Sequence, residues 1–316
     1  LMVPVTISVC KILNINPISF ILAQIFASNI GGATTLIGDP PNIMIGSAAG
    51  IDFMTFAYHM TPEIIITMAV TIVLFKFMFR KDLKQKAENI EKLQALDEKK
   101  EIKDVMLLKK SAIILGAVII MFMLHGMLGL DVSIIALGGA AILLVVTGIQ
   151  PFKALHHVEW PTLLFFCGLF VIVGGVEASG ALELLAHNIL EITEGELGAT
   201  MFTITMVSAF ASAFVDNIPF TATMIPIIEN ISVDPAFAHN LTAFDYNPLW
   251  YALAFGADLG GNGTLIGASA NLVAIAICEK FGYRIFFREF LIKGLPLMVI
   301  TTLVAFGAFY LRVLYL

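Results

Sequence analysis

Apolar residues run along this chain in blocks long enough to cross a bilayer, and the polar residues that interrupt them fall at a few places only. Uninterrupted apolar runs lie near 60–79, 111–130, 132–149, 160–177 and 293–315; at about 20 residues per crossing, each predicts a transmembrane helix. Regions 14–50 and 198–281 are equally apolar but are cut by Pro, Gly and Asn, which predicts broken helices and a re-entrant hairpin. Non-helical backbone at membrane depth persists only where it faces protein or a watery cavity.

Two of these interruptions are copies. Gly31–Asn42 and Gly260–Asn271, 229 residues apart, agree at seven of twelve positions, among them the leading Gly pair, the Thr-Leu-Ile-Gly core and the closing Asn. Matched breaks in two halves of a polytopic chain point to the substrate site of a secondary transporter. The expected organisation is the end of a first repeat over 1–79, a charged linker over 80–110, and a second repeat over 111–316. That second repeat holds a hairpin at 198–230, a broken helix at 248–281 and a final helix. Leu1-Met2-Val3-Pro4 resembles Thr223-Met224-Ile225-Pro226, so the alignment expects the hairpin tip of the first repeat to precede Leu1, the sequence being truncated at its N-terminus.

Composition narrows the class. With 59% hydrophobic and 13% charged residues and a mean hydropathy of +0.92, the chain is far from a soluble globule and reads as a multi-pass protein of the plasma membrane, without a nucleic-acid partner. Of 18 Lys and Arg, 17 fall on one face when the spans are threaded alternately, which marks that face as cytoplasmic. Arg312 is the exception and is expected at the outer interface. Segment 80–110 mixes ten basic with seven acidic residues and reads as a solvated helical linker. Cys10, Cys167, Cys278 and the six His residues have no metal-ligand or disulfide spacing.

Asp216 and Asn217 sit between apolar arms at 198–215 and 220–230, each expected to be too short to cross. A carboxylate at membrane depth is a functional candidate by default, although Asp is also an ordinary turn former. The duplicated breaks supply the facing wall. Unwinding at Gly31-Gly32 or Gly260-Gly261 exposes helix ends of opposite partial charge. Backbone carbonyls, the Thr34, Thr35 and Thr264 hydroxyls and the Asn42 and Asn271 amides are hard oxygen donors for a small cation, whereas free amides suit an anion. Asp39, ahead of Pro40-Pro41, reads as a helix cap or an ion ligand; Asp258, aligned with Asn29, reads as an ion ligand ahead of a cap. Ser28 and Asn29 add further donors. His125, in an apolar span beside Gly126 and Gly129, reads as a packing residue. The glutamates between 177 and 197 are expected in a water-facing outer loop.

These motifs resemble the ion transporter superfamily, and within it the citrate-transporter-like branch that holds the arsenite permeases and the P protein. The likeness rests on Ser28 to Asn42, on Asp216-Asn217-Ile218-Pro219 and on Gly260 to Asn271. It implies an all-α polytopic membrane protein built of inverted repeats, each with a re-entrant hairpin and a broken helix, assembled as a homodimer. It also implies one site formed by Asp216, Asn217, Gly261, Asn262, Gly263 and Thr264, with sodium at Asp216, Asn217, Gly263 and Thr264, and another formed by Thr34, Thr35, Gly38, Pro41 and Asn42. Dicarboxylate symporters of the superfamily carry Ser-Asn-Thr at the hairpin tip, where this chain has Asp216-Asn217-Ile218. The departure favours sodium/proton exchange or transport of a small inorganic anion over citrate symport. No cofactor beyond a coupling sodium ion or proton is expected. An intramembrane aspartyl protease would need Gly-x-Gly-Asp, which Phe255-Gly256-Ala257-Asp258 lacks; a channel fits the linked broken helices poorly; and no phosphate-binding loop supports an ATP-driven pump.

Overall fold

The computed structural model describes residues 2–85, 88–91, 104–156, 158, 160–235 and 237–315, and among them every regular element is a helix. In chain order these are α1 (Met2–Ile12), α2 (Ile18–Gly32), α3 (Pro40–Ala49), α4 (Phe53–Met78), α5 (Val105–Leu128), α6 (Val132–Thr147) and α7 (Pro151–Leu155). They continue with α8 (Trp160–Ala178), α9 (Ala181–Ile192), α10 (Leu197–Phe214), α11 (Asn217–Val233), α12 (Pro248–Gly260), α13 (Ser269–Lys280) and α14 (Phe287–Tyr315). Four of them, α4, α5, α10 and α14, are long and apolar enough to cross a membrane, and α8 with α9 makes a fifth such unit bent by 69°. The chain is an all-α, multi-pass membrane protein.

Several boundaries differ from the apolar pattern for local reasons. Helix α6 stops at Thr147 because Gly148 takes a left-handed φ of 70°, the usual helix-ending conformation of glycine. The segment expected as an outer loop over 177–197 is largely helical. In α9, Leu182, Ala186 and Leu190 form one buried face against α11 while Glu183, His187 and Glu191 point outward. Part of the charged linker, 86–87 and 92–103, and His157 lie outside the described residues. At the end of the linker Asp104 caps α5, accepting from the Leu107 amide at 2.9 Å. On α5 and α6, Ile113, Leu115, Leu137 and Val145 are exposed, as residues facing lipid are.

The helices that matter for the site share two ends. Lys11, at the end of α1, lies over the rings of Phe281 and Tyr283 beyond α13, and Ser19 at the start of α2 donates to Asp82 beyond α4 at 2.6 Å. At the other end, His59 near the start of α4 stacks on Tyr246, just before α12, with ring centroids 4.1 Å apart. The two broken helices, α2–α3 and α12–α13, therefore run in opposite directions. The arms α10 and α11 are joined by Val215 and Asp216 alone. Three bonds along α10, Thr205 to the Ala252 carbonyl at 3.1 Å, Ser212 to the Ala257 carbonyl at 2.7 Å and Thr264 to the Ala213 carbonyl, make it parallel to α12. Asn247 Nδ2 bonds Ser232 Oγ at 2.6 Å, so α11 returns to the end where α12 began. The pair is a hairpin whose tip stops level with the break. By length, α10's 18 residues are enough to cross, contrary to expectation; the chain reverses at Val215-Asp216.

All thirteen residues of α12 are buried. Gly256 and Gly260, four apart, let α10 approach closely; a Cβ at Gly260 would lie 2.6 Å from the Ala209 carbonyl oxygen and 2.8 Å from Ser212 Cβ. Small residues and interhelical hydroxyl bonds are the usual means of close helix packing in a membrane.

Candidate functional site

Both breaks fold in one way. Asn42 Nδ2 donates to the Gly32 and Thr35 carbonyls, each at 3.2 Å. Asn271 Nδ2 donates to the equivalent Gly261 and Thr264 carbonyls at 2.8 and 3.1 Å. The backbone follows: Thr34 N–H to Gly31 at 3.1 Å matches Gly263 to Gly260 at 2.8 Å, and Gly38 to Thr35 at 3.1 Å matches Gly267 to Thr264 at 3.2 Å. The residues before the second half-helices, Asp39 and Ala268, share an extended backbone, φ −143° and −149°. A helix that stops in the membrane leaves carbonyls without amide partners, and the Asn amide satisfies two of them. Asn42 and Asn271 are thus staples of the unwound segment, with only Oδ1 left for other partners.

What meets those oxygens differs. Asn29, on α2, donates through Nδ2 to Asn271 Oδ1 at 2.9 Å and to Asn262 Oδ1 at 3.0 Å, and Asn262 Nδ2 donates back to the Phe26 carbonyl at 3.3 Å. The second break is tied to α2 by side-chain amides. At the position equivalent to Asn29 stands Asp258, fully buried. Its carboxyl faces the Asn42 amide and acts electrostatically on Asp39. Among the described residues, neither Asp258 oxygen, nor Asn42 Oδ1, has a hydrogen-bond partner.

The hairpin tip meets the first break. Buried Asn217 donates to Asp39 Oδ2 at 3.4 Å, and Asp39, which does not cap its own helix, is in electrostatic range of Asp216 and Asp258. Asp216 caps α11, accepting from the Ile218 amide at 3.1 Å. Of the other expected donors, Thr34 Oγ1 turns back to the Gly31 carbonyl at 2.6 Å, while Thr35 is half-buried, Gly38 is exposed and Pro41 is buried in the first turn of α3. Gly261 and Gly263 are buried, the Gly263 carbonyl lying against Gly294 of α14. Ser28 lines a cavity of about 380 Å³ between α1, α2 and α13. Among the described residues, no group of three or more His, Cys, Asp or Glu side chains is placed to hold a metal ion; a hard cation here would be held by carboxylate, amide and carbonyl oxygens together.

The sequence matches the family of citrate transporters over residues 1–256. The chain belongs to that family. An uncharacterized transporter of Mycobacterium tuberculosis is 42% identical over 316 residues, covering all of this chain and 72% of the relative. The 46 kDa membrane protein of Mycobacterium leprae is 40% identical over 317 residues, again covering 100% and 72%. The human P protein is 35% identical over 390 residues, covering 99% of this chain and 46% of its own length. The protein is a multi-pass membrane transporter of the citrate transporter family, and its bacterial relatives point to the plasma membrane.

In this citrate transporter relative, two polar features escaped the sequence reading or changed meaning. Glu63 lies within the first apolar run yet is 2% exposed and accepts from Arg312 Nη1 at 3.2 Å. Arg312, expected at the outer interface, also donates to the Tyr58 carbonyl at 3.0 Å and so clasps α14 to α4. The signal was present: an ionisable residue inside a span calls for a partner. His125 proves to be a joint between helices. Its Nε2 accepts from the Phe53 amide at 2.8 Å, which places the proton on Nδ1, 3.2 Å from the Leu130 carbonyl.

Proposed function

We propose that this transporter is a secondary active exchanger that moves sodium against protons across the plasma membrane by alternating access. The observation that carries the reading is a succession of carboxylates where the hairpin tip and both breaks converge, Asp216 acting on Asp39 and Asp39 on Asp258, spaced too widely to form one three-carboxylate metal site. Among the described residues, the charges that act on Asp39 and Asp258 are other carboxylates of this series. Such a cluster attracts a small cation or proton and repels citrate, whose several negative charges would need basic partners. The tip sequence Asp216-Asn217-Ile218 supports the same choice. Breaks that leave carbonyls and a half-helix start facing each other suit an ion bound in transit. The end of the molecule that gathers Lys11, Lys280 and Lys293 is the cytoplasmic one in this reading. The exposed apolar faces of α5 and α6 meet lipid or, in a homodimer, a second copy.

The test is flux into proteoliposomes holding the full-length protein, with sodium, proton and citrate gradients imposed separately. Sodium entry should be driven by an outward proton gradient, and Asp216→Asn should lower it at least tenfold while the protein stays monodisperse. Citrate-dependent flux without proton movement, or unchanged sodium exchange in Asp216→Asn, would overturn the reading.

A further inference from the structure

We infer that the hydroxyls of Thr221 and Thr302 flank the Asp258 carboxylate and complete with it a site for one small monovalent cation. The inference rests on the cation exchange proposed above and names two binding residues that the sequence did not single out.

A threonine buried in a helix ordinarily bonds a backbone carbonyl, most simply the one a turn back. Nine threonines are buried among the described residues, and seven do so, as Thr67 does to Glu63 at 2.8 Å and Thr205 to Ala252 of the facing helix at 3.1 Å. The other two are Thr221, on α11, and Thr302, on α14. Both are fully buried, and neither hydroxyl has a hydrogen-bond partner among the described residues.

The two stand level with Asp258. Helices α11 and α12 pack together antiparallel, and Ser232 near the end of one is bonded by Asn247 at the start of the other at 2.6 Å. Eleven residues in from that bond stand Thr221 on α11 and Asp258 on α12, and both helices rise by the same about 1.5 Å per residue. Helix α14 is antiparallel to α12 as well. Gly294 lies against the Asn262 carbonyl, and farther along Phe309 packs on Tyr251 and Phe255 with ring centroids 5.9 and 5.3 Å apart. Thr302 comes seven residues before Phe309 and Asp258 seven after Tyr251, two turns along the same faces. Helix α10 lies against Gly256 and Gly260, each two residues and so about 200° round the helix from Asp258. The carboxylate therefore points away from α10, toward the space that α11 and α14 border.

A carboxylate and two hydroxyls offer hard oxygens and a single negative charge. Each hydroxyl can turn its proton to a carbonyl of its own helix and present lone pairs to an ion. Calcium would call for about six to eight oxygens, and an anion is repelled by the charge, so the set suits one cation of sodium's size and charge.

Isothermal titration of the purified full-length protein in detergent with sodium separates the hydroxyls from their shape. Thr221→Val and Thr302→Val keep the volume and remove the oxygen; each should weaken sodium binding about tenfold or more, the scale of one buried polar partner lost. Thr221→Ser and Thr302→Ser should keep wild-type affinity. So should Ser208→Ala, which removes an equally buried and unpartnered hydroxyl on α10; an equal loss there would make the effect a general one and overturn the site. If wild type neither binds nor exchanges sodium, the exchanger reading falls and the site with it. If wild type exchanges sodium and both Val variants bind it as wild type does, the site falls and the function stands. Should a Val variant fail to fold, Thr221→Ala or Thr302→Ala takes its place, and unchanged sodium affinity there would sink the assignment.

Discussion

Gly260 to Thr264 are all buried, whereas Gly31, Gly32, Thr34 and Thr35 at the equivalent places are half-exposed. Yet the two segments share the bonds that shape the break: the Asn side chain to two carbonyls, and the amides of Thr34 and Gly38 matched by those of Gly263 and Gly267. The difference lies in the neighbours. Helix α10 presses its Ser and Ala face on Gly256 and Gly260, and α14 brings Gly294 against the Asn262 and Gly263 carbonyls. The first break meets the hairpin tip, through Asn217, and the single hydroxyl of Thr61, 3.1 Å from the Thr34 carbonyl. A short motif can encode its own unwound shape while its surroundings decide whether it acts as scaffold or as the accessible half of a site.

The largest expected contrast comes from the two staples. Asn271→Ala strands the Gly261 and Thr264 carbonyls in a closed environment and takes one of two acceptors from the Asn29 amide, which keeps Asn262, and should cost about 3 kcal/mol or more, at 1–3 kcal/mol per buried group left unpaired. Asn42→Ala, beside a break that water can reach, should cost about 1–2 kcal/mol. Thermal unfolding of the purified variants in one detergent measures both, and equal losses would erase the distinction between closed and open copies.

Glycine substitutions sharpen it further. In Gly260→Ala the new methyl meets the backbone of α10, which cannot swing aside, so about 2 kcal/mol of destabilisation is expected from overpacking. At Gly31 a Cβ would find nothing within 4 Å. Gly31→Ala should therefore be neutral or stabilising by up to about 1 kcal/mol, from reduced freedom of the unfolded chain. A destabilised Gly31→Ala would mean that the first break is as tightly enclosed as the second.

The smallest contrast concerns how each broken helix hands over to the next. After α3, Asp52 caps α4 through the Met54 and Thr55 amides at 2.9 and 3.0 Å and the Thr55 hydroxyl; after α13 no acidic residue lies between Phe281 and Phe287. Partial burial works against the Asp52 charge, but these hydrogen bonds outweigh it and hold the carboxyl below its ordinary value. A carboxyl lowered by folding stabilises above its ordinary value, near pH 4, and loses that contribution as pH falls through the folded one. Asp52→Ala should cost about 1 kcal/mol at pH 7 and progressively less below pH 4. A deficit that persists undiminished in acid would show that the lost cap acts through packing instead of charge.

Much of this architecture is visible in the order of residues because it depends on local properties. Apolar runs report helices that need no partner for their backbone, and Gly-Gly followed by Pro or Ser and a closing Asn reports where the backbone must leave the helix. The Asn42 and Asn271 staples, seven and ten residues from the carbonyls they satisfy, are equally local, although the sequence pattern read those amides as ion donors. The reversal at Val215-Asp216 is local too. The register at which distant segments meet does not. Nothing around position 217 indicates that the tip would reach Asp39 of the opposite half instead of Thr264 of its own, and nothing around 63 and 312 shows that two charges so far apart in sequence share one bond. Asp258 stood out in the sequence as a mismatch in an alignment and so as an ion ligand, with no partner indicated. Tertiary packing set it against Asn42 with no donor between them, because the partners of a buried polar atom are chosen by which helices touch, and that choice sums over every close-packed face in the protein.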